Sequence, residues 1–201
     1  MTRVVLFAAG GGGDPERHRP LLEALADRGS PVVAPRFDRL LPQAATEELL
    51  VRPHGLVEAL GDTDAEVVVI GHSIGAWAAL CLAGAVPWGR DGRPIEVPRE
   101  PRICRLVLLA PAAGWFAAPG ALDAVGVPML VFVGSADVVT PVSQAELLYG
   151  AAGPVDLRVV PGAGHFSFMH VLPPGVAEDP AFDRAGFLAE MVEETVEFSL
   201  S

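Results

Sequence analysis

The segment that most constrains the fold is Gly71-His72-Ser73-Ile74-Gly75, which has the pattern G-x-S-x-G. It follows an unbroken run of β-branched residues, 67–70, and precedes a helical stretch of small residues, 76–85. The pattern by itself also fits a glycine-rich turn in an ordinary α/β protein. A strand before it and a helix after it favour a tight turn that presents the serine.

Such a turn places strict demands on the residues around Ser73. The serine backbone is strained, and positions 71 and 75 have no room for side chains where the strand and the helix close together, so glycine is expected at both. The turn raises the Ser73 hydroxyl above the sheet. It also places the Ile74 N–H at a helix N-terminus, where partial positive charge favours an anion.

The composition predicts a single globular domain, residues 1–201. The chain is 51% hydrophobic and 19% charged, and its 201 residues are enough to bury a sizeable core. The formal net charge is −11, and all 14 cationic side chains are arginine. We do not expect an acidic chain without a basic patch to bind nucleic acid or an anionic membrane.

The sequence predicts a cytoplasmic protein without a metal. Met1-Thr2-Arg3 leads directly into a strand-like segment, so no signal-peptide pattern is recognised, and no apolar run has the length of a transmembrane helix. Cys81 and Cys104 do not form a metal-like spacing, and we expect both to be free, buried thiols.

Six strand-like runs alternate with helical stretches along most of the chain. Continuous apolar strands with helical crossovers predict a parallel sheet that is covered on both faces. The gap between the fourth and fifth runs is too short for a lid domain. The polar segment 87–102 is expected at the sheet edge opposite the serine, because the preceding helix carries the chain away. The six runs are 4–9, 31–34, 66–70, 103–110, 127–133 and 155–160.

The sequence also predicts how several helices begin and end. Asp14 is expected to cap a helix that starts at Pro15, and Thr140 one that starts at Pro141. A helix from Thr46 to Leu60 is expected to be interrupted at Pro53. The closing helix is predicted over residues 181–198.

Three reactive residues follow three of the predicted strands. In a parallel sheet of this kind, ligands bind beyond the carboxyl ends of the strands. Ser73 ends the third strand, Asp137 follows the fifth, and His165 follows the sixth. Each residue alone fits an ordinary turn, cap or polar role, but three matching strand ends predict a common site.

The three side chains suit nucleophilic catalysis. A serine hydroxyl needs an adjacent base at neutral pH, and an imidazole is the side chain that exchanges protons in that range. His165 is therefore the candidate base. Asp137 is the candidate carboxylate that fixes the histidine tautomer and stabilises the imidazolium.

A tetrahedral intermediate also needs two backbone donors for its oxyanion. Ile74 N–H is the first candidate donor. The second is expected from the glycine run 10–13 after the first strand, with Gly11 preferred and Gly10 as the alternative. This run does not match a phosphate-binding loop or a dinucleotide fingerprint, so no nucleotide cofactor is expected.

Several large apolar residues are candidates for a substrate pocket that favours an uncharged acyl or alcohol group. Among the remaining histidines, His72 is expected to be structural and His18 to face solvent. The pocket candidates are Phe37, Trp77, Trp115, Phe166 and Met169.

These features resemble the α/β-hydrolase superfamily over nearly the whole chain. A shorter segment, 178–184, is similar to the dienelactone-hydrolase-like branch. The resemblance is carried by Gly71-His72-Ser73-Ile74-Gly75-Ala76, Gly134-Ser135-Ala136-Asp137 and Gly162-Ala163-Gly164-His165-Phe166.

The resemblance implies hydrolysis of a small-molecule ester, lactone or thioester through an acyl-serine, without a cofactor. Two positions depart from the family pattern. Ala9-Gly10 stands where many members have His-Gly, and Ser73 stands where several dienelactone hydrolases have cysteine. Relative to the family, no counterpart of the first two strands of the full fold is recognised in this sequence, so we expect a minimal, lidless version.

Three functions remain open at this stage. The first is a serine hydrolase, and the second is an acyltransferase or cyclase on the same fold, since acceptor choice depends on the shape of the pocket. The third is a ligand-binding protein without catalysis. Monomer and homodimer are both compatible with the sequence.

Overall fold

The apolar runs of the sequence form one parallel sheet in the computed structural model, which describes residues 3–41 and 43–201. Within these ranges the sheet has six strands in the order β2-β1-β3-β4-β5-β6. Met1, Thr2 and Pro42 lie outside the described residues. The strands are β1 (Arg3–Ala8), β2 (Val32–Val33), β3 (Glu66–His72), β4 (Ile103–Leu109), β5 (Met129–Gly134) and β6 (Val155–Val160).

Helices cover both faces of this sheet, as the sequence predicted. Alternate residues of β1 point to opposite faces: Leu6 packs in the core under α2 and α3, and Phe7 packs in the core under α1 and α5. None of the helices in the described ranges combines the length and apolar content needed to cross a bilayer. The helices are α1 (Arg19–Asp27), α2 (Thr46–Leu60), α3 (Ile74–Leu82), α4 (Val142–Glu146) and α5 (Arg184–Leu200).

The predicted interruption of α2 and the predicted start of α5 were both wrong. Helix α2 continues through Pro53, because the apolar side of the helix is buried before and after the proline. Helix α5 begins at Arg184 rather than at residue 181, because the Asp183 carboxylate accepts a hydrogen bond from Gly186 N–H at 3.0 Å and caps it there. Asp14 does cap the short 3₁₀ helix Pro15–His18 by accepting from Glu16 N–H at 3.1 Å.

The largest correction concerns the polar segment 87–102. Its first half forms a hairpin loop, residues 87–95, in which Ile95 N–H donates to Pro87 O at 2.8 Å. Trp88 N–H donates to Trp115 O at 2.8 Å, so the loop is held beside the segment that follows β4. The chain therefore returns to the carboxyl edge of the sheet after α3, and the hairpin loop does not lie at the opposite edge.

Replacement of Gly75 by alanine should lower the free energy of unfolding by about 3 kcal/mol, because an added Cβ would overlap the carbonyl oxygen of Ala8. Urea denaturation followed by circular dichroism measures the change. Gly126→Ala is the matched control, since a Cβ there meets nothing within 4 Å. Equal stability of the two variants would contradict the packing described for the turn.

Candidate active site

The turn between β3 and α3 presents Ser73 as the sequence predicted. Ser73 has a φ of 56°, a left-handed conformation that is strained for a residue with a side chain. A Cβ on Gly71 would lie 2.6 Å from Ala76 Cα, and one on Gly75 would overlap Ala8. The two glycines therefore allow β1, β3 and α3 to meet closely enough to fix the serine.

The structure brings Ser73, His165 and Asp137 together at the carboxyl edge of the sheet. Ser73 Oγ donates to His165 Nε2 at 2.9 Å, and His165 Nδ1 donates to Asp137 Oδ2 at 2.8 Å. His165 and Asp137 are buried, and the Ser73 residue is half-buried at the floor of an open cleft. This geometry permits a proton to pass from the serine to the imidazole.

Backbone N–H groups also donate to the Asp137 carboxylate, in addition to the His165 imidazole. Val139 N–H and Thr140 N–H each donate to Asp137 Oδ1 at 2.8 Å. Burial by itself would raise the pKa of Asp137, but the hydrogen bonds from His165 and Thr140 outweigh it and lower the pKa below its ordinary value of 3.8. The carboxylate is therefore ionised where it meets His165.

Thr140 contributes to the site in a way that the sequence did not reveal. Its hydroxyl was expected to cap α4, but α4 has no side-chain cap. The hydroxyl lies 2.9 Å from Asp137 Oδ2 and 3.1 Å from Ala110 O, so its single proton can serve either acceptor. It also lies 3.1 Å from His165 Nδ1, and it therefore packs the carboxylate and imidazole together.

Buried imidazoles support the loop that carries His165. His72 Nε2–H donates to the backbone oxygen of His165 at 3.0 Å. Burial, and then the nearby His165, lower the pKa of His72 to about 3, so His72 is neutral. His18 was expected to face solvent, but its ring is fully buried between Phe7 and His72, at centroid distances of 4.9 and 5.3 Å.

All three candidate oxyanion donors lie in the cleft beside Ser73. The N–H groups of Ile74, Gly10 and Gly11 donate to no acceptor among the described residues. A Cβ on Gly10 would lie 3.5 Å from Ser73 Cβ, so this glycine adjoins the serine directly. We call residues 10–13 the glycine loop.

The cleft above Ser73 has a volume of about 1280 Å³. Trp115, Phe166 and Met169 line it. Phe37 and Trp77 do not line it. The side chain of Trp77 extends from α3 into the core and is fully buried, and Phe37 packs against α2. The difference arises because nearness to a strand end in sequence does not fix the side of the loop or helix on which a residue lies.

The hairpin loop adds polar groups to this cleft that were not expected there. Arg90 and Arg93 line it together with Ile95.

Cys81 is buried and Cys104 is half-buried, and both are free. Over the described ranges, no group of three or more His, Cys, Asp or Glu side chains is arranged to hold a metal ion.

No protein-family model and no curated protein matches this chain. Solved structures do match it. A thermophilic esterase of the planctomycete Thermogutta terrifontis, bound to propionate, has a TM-score of 0.67 and 20% identity, and the match covers 99% of this chain and 82% of the esterase. A monoacylglycerol lipase of Paleococcus ferrophilus has a TM-score of 0.66 and 18% identity, over 97% of this chain and 94% of the lipase.

An esterase of Pyrococcus furiosus is similar to the same degree, with a TM-score of 0.66, 18% identity and coverage of 98% of this chain and 81% of that enzyme. These identities are too low to transfer an activity, but the coverage extends over nearly all of the chain. Together with the parallel sheet and the turn at Ser73, they show that the chain has the α/β-hydrolase fold.

Proposed function

We propose that the protein is a serine hydrolase that cleaves a small carboxylic ester, lactone or thioester through an acyl-serine intermediate. The observation that carries the proposal is the hydrogen-bonded line from Ser73 Oγ to His165 and Asp137, with distances of 2.9 and 2.8 Å. The esterases and the lipase among the structural neighbours support the same class of reaction.

In the proposed reaction, Ser73 Oγ attacks the substrate carbonyl while His165 Nε2 takes its proton. The developing oxyanion accepts hydrogen bonds from Ile74 N–H and from Gly11 or Gly10 N–H. When the bond to the leaving oxygen or sulfur breaks, His165 returns the proton to that atom. Water then attacks the acyl-serine by the same route, and Asp137 stabilises the imidazolium in both halves.

The cleft supports a small, largely uncharged acyl or alcohol group next to Ser73. Trp115, Phe166 and Met169 supply apolar surface near the serine.

The narrower resemblance to the dienelactone-hydrolase-like branch remains a prediction. So does the cytoplasmic location.

One observation favours keeping acyl transfer or cyclisation as a second candidate. The cleft volume of about 1280 Å³ exceeds the roughly 300–1,000 Å³ of ordinary small-molecule sites, so an acceptor other than water fits beside the acyl group. A non-catalytic binding role is less well supported, because it does not account for the 2.9 Å contact of Ser73 with His165.

Replacement of Ser73 by alanine should lower kcat for p-nitrophenyl butyrate by at least about 10⁴-fold, because the nucleophile is lost. A fluorophosphonate probe should label the wild type at Ser73, which mass spectrometry of the labelled peptide would locate. Ser201→Ala is the matched control, since Ser201 is exposed at the end of α5 and is not among the residues that line the cleft. A wild type that resists the probe and hydrolyses no ester would refute the proposal.

Analysis of the products should separate hydrolysis from acyl transfer. With p-nitrophenyl butyrate and millimolar alcohol or amine acceptors, we expect butyric acid as the main product, because the open cleft admits water to the acyl-serine. Chromatography measures the ratio of acid to ester or amide. A dominant ester or amide product would establish the transferase alternative instead.

Replacement of Asp137 by asparagine should destabilise the fold in a pH-dependent way. The pKa of Asp137 is lowered in the folded state, so its stabilisation is fully present above about pH 4 and is lost as the pH falls through the folded-state pKa. We expect the variant to lose about 1.5–3 kcal/mol at pH 7 and less at pH 3, from urea denaturation at each pH. Asp27→Asn, at an exposed carboxylate, controls for the loss of one charge. A constant difference between wild type and Asp137→Asn across this range would argue against the ionised carboxylate.

A further inference from the structure

Arg52 is a charged residue at a core position of α2, with an exposed fraction of only 2%. Its guanidinium points at the backbone of the chain that follows β1. Nη1 donates to the carbonyl oxygen of Ala9 at 3.2 Å, and Nη2 donates to that of Gly11 at 3.3 Å. The guanidinium carbon also lies 5.2 Å from the ring centroid of Phe37, which is a cation–π contact.

The Arg52 guanidinium has no carboxylate partner within the described part of the chain. Burial lowers the pKa of Arg52 to about 10, which leaves the group charged at neutral pH. A buried charge without a counter-ion is costly, so the two carbonyl groups and the Phe37 ring are what hold it. A hydrophobic residue at this position would fill the core without that cost, and the charge therefore calls for a role beyond packing.

The two carbonyl groups flank the backbone of the candidate oxyanion donors. In a planar trans peptide, the C=O and the N–H point in opposite directions. When Arg52 holds the oxygen of Ala9, it therefore directs the Gly10 N–H away from α2. The Gly11 N–H belongs to the next peptide group, which lies between the group of the Ala9 oxygen and the group of the Gly11 oxygen. When Arg52 also holds the oxygen of Gly11, the peptide groups on both sides of the Gly11 N–H are therefore fixed.

The glycine loop needs such a constraint because glycine restricts its own backbone least. Three further bonds hold it: Leu40 N–H donates to Gly11 O at 2.7 Å, Gly13 N–H donates to Gly10 O at 2.9 Å, and Phe37 N–H donates to Gly13 O at 3.0 Å. None of them involves the Ala9 carbonyl. Arg52 therefore supplies a hold at the end of the loop that adjoins Ser73.

We propose that Arg52 is a positioning residue that fixes the glycine loop as the second half of the oxyanion hole and places a positive charge behind it. The inference rests on the proposed function, since it concerns the transition state of that reaction. The role is specific to the transition state, because the oxyanion forms only there. A residue that merely joined α2 to the loop would affect stability and leave the rate per active site unchanged.

The experiment compares Arg52→Met and Arg52→Lys with the wild type, using p-nitrophenyl butyrate and sites titrated with a fluorophosphonate. Arg52→Met should lower kcat per titrated site by about 10- to 100-fold, somewhat less than the loss of a whole oxyanion donor, while KM changes less than about twofold. Arg52→Lys retains the charge but not the fork that spans two carbonyls, and it should recover part of the rate. The rate of probe labelling should fall in parallel with kcat.

Arg102 offers a matched control at the other end of the sheet. Its Nη1 also donates to two loop carbonyls, those of Gly61 and Thr63, at 3.1 and 2.7 Å. Unlike Arg52, Arg102 is also paired with a carboxylate, that of Glu100, at 2.6 Å. Arg102→Met removes an arginine that holds loop carbonyls but has no contact with the glycine loop. We expect it to lower the melting temperature and to leave kcat per titrated site unchanged.

Each outcome decides the matter. An unchanged kcat per titrated site in Arg52→Met, with or without a lower melting temperature, overturns the inference. If Arg52→Met yields no titratable sites, Arg52→Lys decides by the same measure: a lower kcat at constant KM supports the role, and an unchanged kcat overturns it. A wild type without Ser73-dependent hydrolysis refutes the proposed function itself, whereas normal wild-type activity with unaffected Arg52 variants refutes only this inference.

Discussion

The close approach of three backbones at the Ser73 turn is the constraint on which the rest of the structure depends. Gly71 and Gly75 remove the side chains that would otherwise separate β3, α3 and β1. Ser73 then adopts its strained φ of 56° and faces the carboxyl edge of the sheet. The glycine loop and the loops that carry Asp137 and His165 end at the same edge because the strands are parallel.

Charge is distributed unevenly around this turn. The Asp137 carboxylate is fully supplied with donors, so it stays ionised beside the imidazole. His72, behind His165, is neutral and holds the loop through one hydrogen bond. Arg52, by contrast, is a buried cation without a carboxylate partner among the described residues. Two backbone oxygens and an aromatic ring hold it. Polar groups outside the line of hydrogen bonds from Ser73 to Asp137 thus hold the backbone on either side of it.

The sheet and the positions of Ser73, Asp137 and His165 were predictable from the sequence, because apolar runs and strand ends are local signals. Trp77, His18 and the hairpin loop were not, because their places depend on how distant segments pack. The sequence does contain a signal for the burial of Arg52. It lies on the apolar side of α2, three residues after Leu49 and four before Leu56, both of which are buried. A charged residue at such a phase marks a position that merits attention even without a motif.

The hairpin loop gives the cleft one wall that the sheet does not build. It leaves the core after α3 and returns before β4, and its backbone is joined to the segment beyond β4 by the bond from Trp88 to Trp115. Insertions or deletions in this excursion would reshape the entrance while the strands and their terminal loops kept their register. For the proposed hydrolase, substrate range and chemical step can therefore diverge independently, which gives evolution, or an engineer, a separate place to work on each.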